Sequence, residues 1–217
     1  MAVQFLAAIP LATKVVVGVS AVVGLIGGVF GYKKYAKHNA PIYFLKGEPE
    51  AGKDTILHIL MEAKFVSNET TPKLEKLDGE VLNTPKGYIR FFNTSGSLNE
   101  SNAKGGTIKA IETMNELMKK RKVQGFFLYV FDANVYFNNE KIKKIIELEI
   151  NMLKEYKEKY TLKFIGTHKD ECSVDDSQIQ NLEAKFGGAD KCKIWNLKEA
   201  ETNGKKIQKE LFEFIES

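Results

Sequence analysis

The sequence predicts an α/β fold, a mostly parallel sheet with helices on both faces, preceded by one N-terminal transmembrane helix. Three observations lead there. From residue 41 onward, short β-rich runs alternate with long amphipathic stretches. Ahead of them, Val15 to Phe30 is an unbroken run of apolar and small residues, Ser20 aside. Between the first predicted strand and helix stands a glycine-containing turn that ends in Gly52-Lys53. The 217 residues are 43% hydrophobic and 28% charged, too apolar for a disordered chain and too charged for a multi-span membrane protein. Two segments are expected, an anchor with a basic flank over 1–38 and a folded domain over 39–217.

The elements follow in order. Residues 42–45 read as a buried strand and 54–64 as a helix. Residues 77–82 and 88–92 are strands, with Asn83-Thr84-Pro85-Lys86-Gly87 supplying turn chemistry and demanding an antiparallel hairpin. The polar stretch 94–106 reads as a mobile loop. Residues 107–120 form a helix with Ile108, Ile111, Leu117 and Met118 on one face. Residues 125–131 give the strongest strand signal, followed by one long helix over 138–160. Strand 162–165, helix 177–186, strand 193–195 and helix 204–215 complete the chain, the last with Ile207, Leu211 and Ile215 as its buried stripe. Strands separated by helices make a mostly parallel sheet, buried on both sides.

The apolar run of residues 15–30 spans roughly 24 Å as a helix, and extending it over residues 5–32 reaches the ~30 Å of a bilayer core. A cleaved signal peptide would carry its positive charge before that run. Here Tyr32-Lys33-Lys34-Tyr35-Ala36-Lys37 follows it, an aromatic and basic interfacial anchor. The expectation is a single-pass membrane protein with its C-terminal domain in the cytoplasm. Ser20, Gly24 and Gly28 fall four apart, a spacing that lets two such helices approach and suggests a homodimer or a protein partner.

Charge and composition exclude several classes. Residues 1–40 hold four lysines and no acid; the remainder carries 28 basic and 28 acidic groups and is neutral, unlike a nucleic-acid-binding body. Arg90 and Arg121 are the only arginines, too few for a site built on several guanidinium forks. Two cysteines fit a reducing compartment, and three scattered histidines have no metal-ligand spacing.

Gly47-Glu48-Pro49-Glu50-Ala51-Gly52-Lys53-Asp54-Thr55 is a G-x-x-x-x-G-K sequence with a strand before it and a helix after, the setting of a P-loop. Its backbone N–H groups and the helix N-terminus offer positive potential to a polyphosphate, and Lys53 adds a point charge. Gly47, Glu50, Ala51, Gly52, Lys53, Asp54 and Thr55 are the candidate phosphate-binding residues. Asp54 stands where a serine or threonine usually ligates Mg²⁺; a carboxylate can also do so, or can simply open the helix.

With three further motifs the chain resembles a small GTPase, with likeness to Arf-like proteins and to the signal recognition particle receptor β subunit. Asn93-Thr94-Ser95-Gly96 is similar to the family's D-x-x-G with asparagine for aspartate, and Thr71, or its neighbour Thr70, matches the switch threonine. Residues 126–131 end in Asp132-Ala133-Asn134, similar to the Val-Val-Asp-Ser run of Arf-like proteins. Thr167-His168-Lys169-Asp170 is similar to the N/T-K-x-D guanine motif. The resemblance implies GTP/GDP and Mg²⁺ as ligands. Asp170 would accept from the guanine N1–H and 2-amino groups, His168 would stack on the base, and Thr167 would stand in for asparagine. Asn196, Leu197 and Lys198 would fill the third base-contacting loop. Adenine lacks the donors Asp170 needs, so ATP would leave a carboxylate unpaired.

The resemblance also exposes losses. Ser97 follows Gly96 where a glutamine would orient water, neither arginine is placed as a finger, and hydrolysis is expected to be slow or partner-dependent. A carboxylate lost at Asn93 and gained at Asp54 leaves the charge around the ion unchanged, so Asp54 is the candidate magnesium-shell acid. The resulting reading is a membrane-tethered guanine-nucleotide-binding switch or recruitment platform. Its alternatives are a nucleotide-free scaffold and a nucleoside monophosphate kinase, the latter opposed by the scarcity of arginine.

Overall fold

A computed structural model describes residues 34–65, 79–94, 96–156 and 158–217. The chain divides into two compact units, Met1–Asn39 and Ala40–Ser217. Of the first, residues 34–38 are helical. The expected anchor over 5–32, the Ser20/Gly24/Gly28 face and the switch threonine Thr71 lie outside the described residues. Among the described residues, no helix is long and apolar enough to cross a membrane.

The second unit is a six-stranded sheet in the order β2-β3-β1-β4-β5-β6. Its strands are β1 (Ile42–Lys46), β2 (Glu80–Thr84), β3 (Gly87–Asn93), β4 (Gly125–Asp132), β5 (Thr161–Thr167) and β6 (Cys192–Ile194). Only β2 runs antiparallel, closing the expected hairpin on β3; the other pairs are parallel. Because side chains alternate across a strand, β1 sends Ile42 and Phe44 to one face and Tyr43 and Leu45 to the other. Helices α1 (Lys53–Glu62) and α6 (Ala200–Glu216) cover the Tyr43 face. Helices α2 (Glu100–Arg121), α3 (Ala133–Asn138), α4 (Glu140–Lys154) and α5 (Asp176–Lys185) cover the other. The α/β architecture with helices on both faces is the one the sequence implies.

Several boundaries differ from the sequence reading. The stretch expected to be a loop up to residue 106 is helical from Glu100, because the Asn99 side chain accepts the N–H groups of Ser101 (3.0 Å) and Asn102 (3.3 Å) and caps α2. Ile108 is exposed; the buried stripe of α2 is Ala103, Thr107, Ala110, Ile111 and Met114. The single helix expected over 138–160 is two. Asn139 ends α3 and caps α4 in extended conformation, its side chain accepting from Ile142 N–H at 3.2 Å. Strand β2 lies at Glu80–Thr84, later than the expected 77–82. Helix α6 begins at Ala200, with a non-helical Asn203 before the predicted start.

One buried polar group ties the far face together. Lys46, at the end of β1, pairs with Glu149 of α4, which also accepts from Thr107 of α2 (2.8 Å) and Tyr129 of β4 (2.7 Å). Four elements meet on one carboxylate directly before the turn that carries the candidate site.

Candidate functional site

The turn between β1 and α1 is shaped by its glycines. Gly47 adopts φ 147°, and a Cβ there would sit 1.8 Å from the Val130 carbonyl oxygen, so β4 passes too close for any side chain. Glu50 (φ 63°) and Gly52 (φ 84°) are also left-handed, curling the chain into α1. No side chain caps α1 at Gly52, and a helix start of this kind turns positive potential toward an anion. Lys53 is buried, and its Nζ donates to the carbonyls of Gly47 (3.1 Å) and Glu48 (2.5 Å). Burial pulls the Lys53 ammonium below the usual lysine range, against the Glu48 carboxylate nearby.

The end of β3 meets this turn. Asn93 Nδ2 donates to Asp54 Oδ1 at 2.5 Å, and Asn93 Oδ1 is buried without a partner. A carboxylate and an orphaned amide oxygen are hard oxygen donors, the chemistry magnesium prefers. Among the described residues no cluster of three or more His, Cys, Asp or Glu surrounds them, so a magnesium ion here would take its remaining ligands from phosphate and water. Gly96 packs its backbone on the same turn: a Cβ would meet Gly47 O and Glu48 C at 2.4 Å. Ser97 Oγ is engaged locally by the Asn99 N–H (3.1 Å). Arg90 is buried within β3, and Arg121 ends α2.

The end of β5 supplies the other wall. Thr167 is fully buried, its hydroxyl within hydrogen-bonding distance of Ala51 O (3.0 Å) and Phe131 O (3.2 Å), which locks the glycine turn to β4 and β5. His168 is left-handed (φ 54°) and begins a 3₁₀ turn, Lys169–Glu171. Asp170 pairs with Lys198 (2.9 Å), which also bridges Glu171 (2.8 Å). Asn196 accepts from Lys198 N–H (3.1 Å) and shapes that loop, so its side chain serves the backbone. Gly52, Thr55, Phe65, His168, Asp170, Leu197 and Lys198 line one cavity of about 170 Å³.

The structure thus brings together Gly52, Thr55, His168, Asp170, Leu197 and Lys198, with Thr167 behind them and Asp54, Asn93 and Gly96 beside the turn. Three residues of the neighbourhood were not among the candidate site residues. Phe65 walls the cavity just past the predicted end of its helix. Glu48 is buried, taking the Asp132 N–H on Oε1 (2.7 Å) and leaving Oε2 unpartnered. Burial pushes its carboxyl up to about 7, against the Asp132 N–H and the Lys53 charge. Asp132 pairs with His168. The motif match at Asp132 was the one signal of the three available.

No protein-family model and no curated protein matches the sequence. Among solved structures, the chain is similar to a probable GTP-binding protein engB, at 15% identity and a TM-score of 0.51, over 82% of this chain and 99% of that one. The G domain of the T. maritima FeoB iron transporter is similar at 18% identity and a TM-score of 0.47, over 81% and 98%. At such identities the likeness concerns the fold. The chain thus shares the fold of that GTP-binding protein, a mostly parallel α/β sheet, and its β1–α1 turn carries the G-x-x-x-x-G-K sequence of a P-loop.

Proposed function

We propose that the protein binds guanine nucleotide with Mg²⁺ and works as a membrane-tethered switch or recruitment platform whose hydrolysis is slow or partner-dependent. The observation that carries this reading is the shared cavity, in which Gly52 of the phosphate turn and Asp170 of the Thr167–Asp170 turn line one space. Phosphates take the N–H groups at the start of α1. Lys53 swings from the carbonyls of Gly47 and Glu48 onto them, and the purine enters between Phe65, His168 and Leu197 with its N1–H edge toward Asp170. Magnesium, when bound, neutralises the phosphate charge, and Asp54 with Asn93 would hold its shell. Among the described residues, Ser97 stands where a glutamine would orient water, and Arg90 and Arg121 lie within β3 and at the end of α2, which is why hydrolysis calls for a partner.

Calorimetry on the full chain tests the reading. Mg·GTP and Mg·GDP binding with no ATP binding supports it; joint binding of ATP and GMP supports the kinase instead. A second reading, a nucleotide-free scaffold, is favoured by one observation. Lys53 and Asp170 both already have partners within the protein. Silence toward every nucleotide establishes that alternative. The magnesium role is tested by Asp54→Ser with Asn93→Asp, which binds Mg·GTP at least as well as the native protein; a large loss of affinity removes Asp54 from the metal shell.

A further inference from the structure

Asp132 has no part in the reading above, yet its Oδ2 lies 2.6 Å from His168 Nδ1. We infer that Asp132 is a positioning residue: it holds the His168 ring, as an imidazolium, against the face of a bound purine. The inference rests on the guanine-nucleotide reading and adds to it a charge that comes and goes with pH.

The parallel register pairs Asp132 with Thr167, so His168 follows diagonally across the strand ends. The other carboxylate oxygen, Oδ1, accepts the Val135 N–H at 3.0 Å as the cap of α3, so the carboxylate cannot turn away. The left-handed His168 backbone is held in turn, its carbonyl accepting the Glu171 N–H at 3.0 Å. The ring lines the cavity with Phe65, Leu197 and Asp170. An imidazolium facing a purine adds cation–π attraction to the stacking that a neutral ring provides.

The charges around the ring favour that form. Asp132 faces it from β4; Asp170, Glu171 and Lys169 share its turn. Lys198, from the segment after β6, already bridges Asp170 and Glu171. Glu48 reaches the same corner from the phosphate turn through the Asp132 N–H. The Asp132 hydrogen bond raises the imidazole above the usual histidine range, outweighing burial. Burial raises the Asp132 carboxyl, but the hydrogen bonds from His168 and Val135 outweigh it and hold it low. The two directions agree on an ion pair.

Calorimetric titration of the full chain with Mg·GDP from pH 6 to 9, on the native protein, Asp132→Asn and His168→Lys, tests the assignment. Affinity of the native protein falls roughly five- to tenfold across that range as the imidazolium is lost. Asp132→Asn, which still caps α3, moves the fall to lower pH, and His168→Lys abolishes it. The titration of the diphosphate is common to all three and cancels in their ratios. An NMR titration of His168 in the nucleotide-free protein shows the same downward move in Asp132→Asn. GDP binding with superimposable pH curves for the native protein and Asp132→Asn overturns the inference and leaves the nucleotide reading standing. Absence of GDP binding at every pH overturns both.

Discussion

Asp170 and Glu48 are both carboxylates, and their surroundings give them opposite duties. Asp170 has a quarter of its side chain exposed and Lys198 beside it, so on the guanine reading its oxygens are open to a donor edge. Asp170→Asn replaces an acceptor with a donor facing the purine C2 position. GTP affinity is expected to fall at least a hundredfold, about 3 kcal/mol, while xanthosine triphosphate, with a carbonyl at C2, gains; competition binding reads both. Glu48 is instead shut away at 2% exposure with one oxygen orphaned. Its titration is raised from 4.5 to about 7 in the folded protein. Folding therefore retains a proton that the unfolded chain gives up. The protein loses stability as pH rises from about 4.5 through about 7, by about 3 kcal/mol in total. Glu48→Gln removes that slope and melts higher than the native protein at pH 8, as thermal denaturation across pH measures. The glycine turn after β1 was legible in the sequence because backbone geometry dictates it: β4 forbids a Cβ at Gly47, whatever else changes. Glu48 was not legible as a buried acid, since nothing in Gly-Glu-Pro-Glu says which glutamate turns inward.

Elements were legible where apolar periodicity is strong and illegible where a single side chain decides. The helix expected over 138–160 contains α4, whose buried stripe includes Ile142, Ile145, Ile146, Ile150 and Leu153. Its true start depended on Asn139, one amide in a polar run. Gly105 and Gly106 argued against a helix, yet α2 runs through both, and an added Cβ at Gly106 would approach Lys46 Nζ at 4.0 Å. The same helix contributes Thr107 to the Lys46–Glu149 pair, so β1, β4, α2 and α4 are joined by a buried charge that periodicity cannot display. Glu149→Ala leaves the Lys46 ammonium buried and alone, and costs about 3–5 kcal/mol. Lys46→Met with Glu149→Leu removes both charges and restores most of that loss. Urea denaturation of the two variants separates a pairing effect from a packing one: equal destabilisation of single and double variants would show that volume, and not charge, governs the site. The pairing of Asp132 with His168 has the same origin, since 36 positions of sequence separate residues that the β4–β5 register makes neighbours.

Among the described strands, the parallel pairing follows from the alternation of strands and helices, and the antiparallel β2 from the short hairpin turn. The two ends of the nucleotide reading converge because P-loop and base turn both lie at the carboxyl ends of parallel strands, where open α/β sheets gather their ligand sites. Charge is distributed just as unevenly along the sequence, with four lysines and no acid in residues 1–40 and a neutral remainder. On the proposed tethering, that asymmetry sets the outcome of fractionation. A neutral body has no electrostatic reason to adhere to anionic lipid, so membrane association must reside in residues 5–32 and be hydrophobic. The full chain is therefore expected to stay with membranes through both high salt and alkaline wash, and a chain lacking residues 1–38 to be released without either. Association that disappears in high salt would show a peripheral, charge-driven contact and overturn the tether. Within that segment, Gly24→Leu with Gly28→Leu separates spanning from pairing. On the proposed pairing of two such helices, it preserves membrane retention and lowers the yield of cross-linked dimer, because bulk at the small-residue face blocks close helix approach without reducing hydrophobicity; equal yields from the native and double-leucine chains would overturn the pairing.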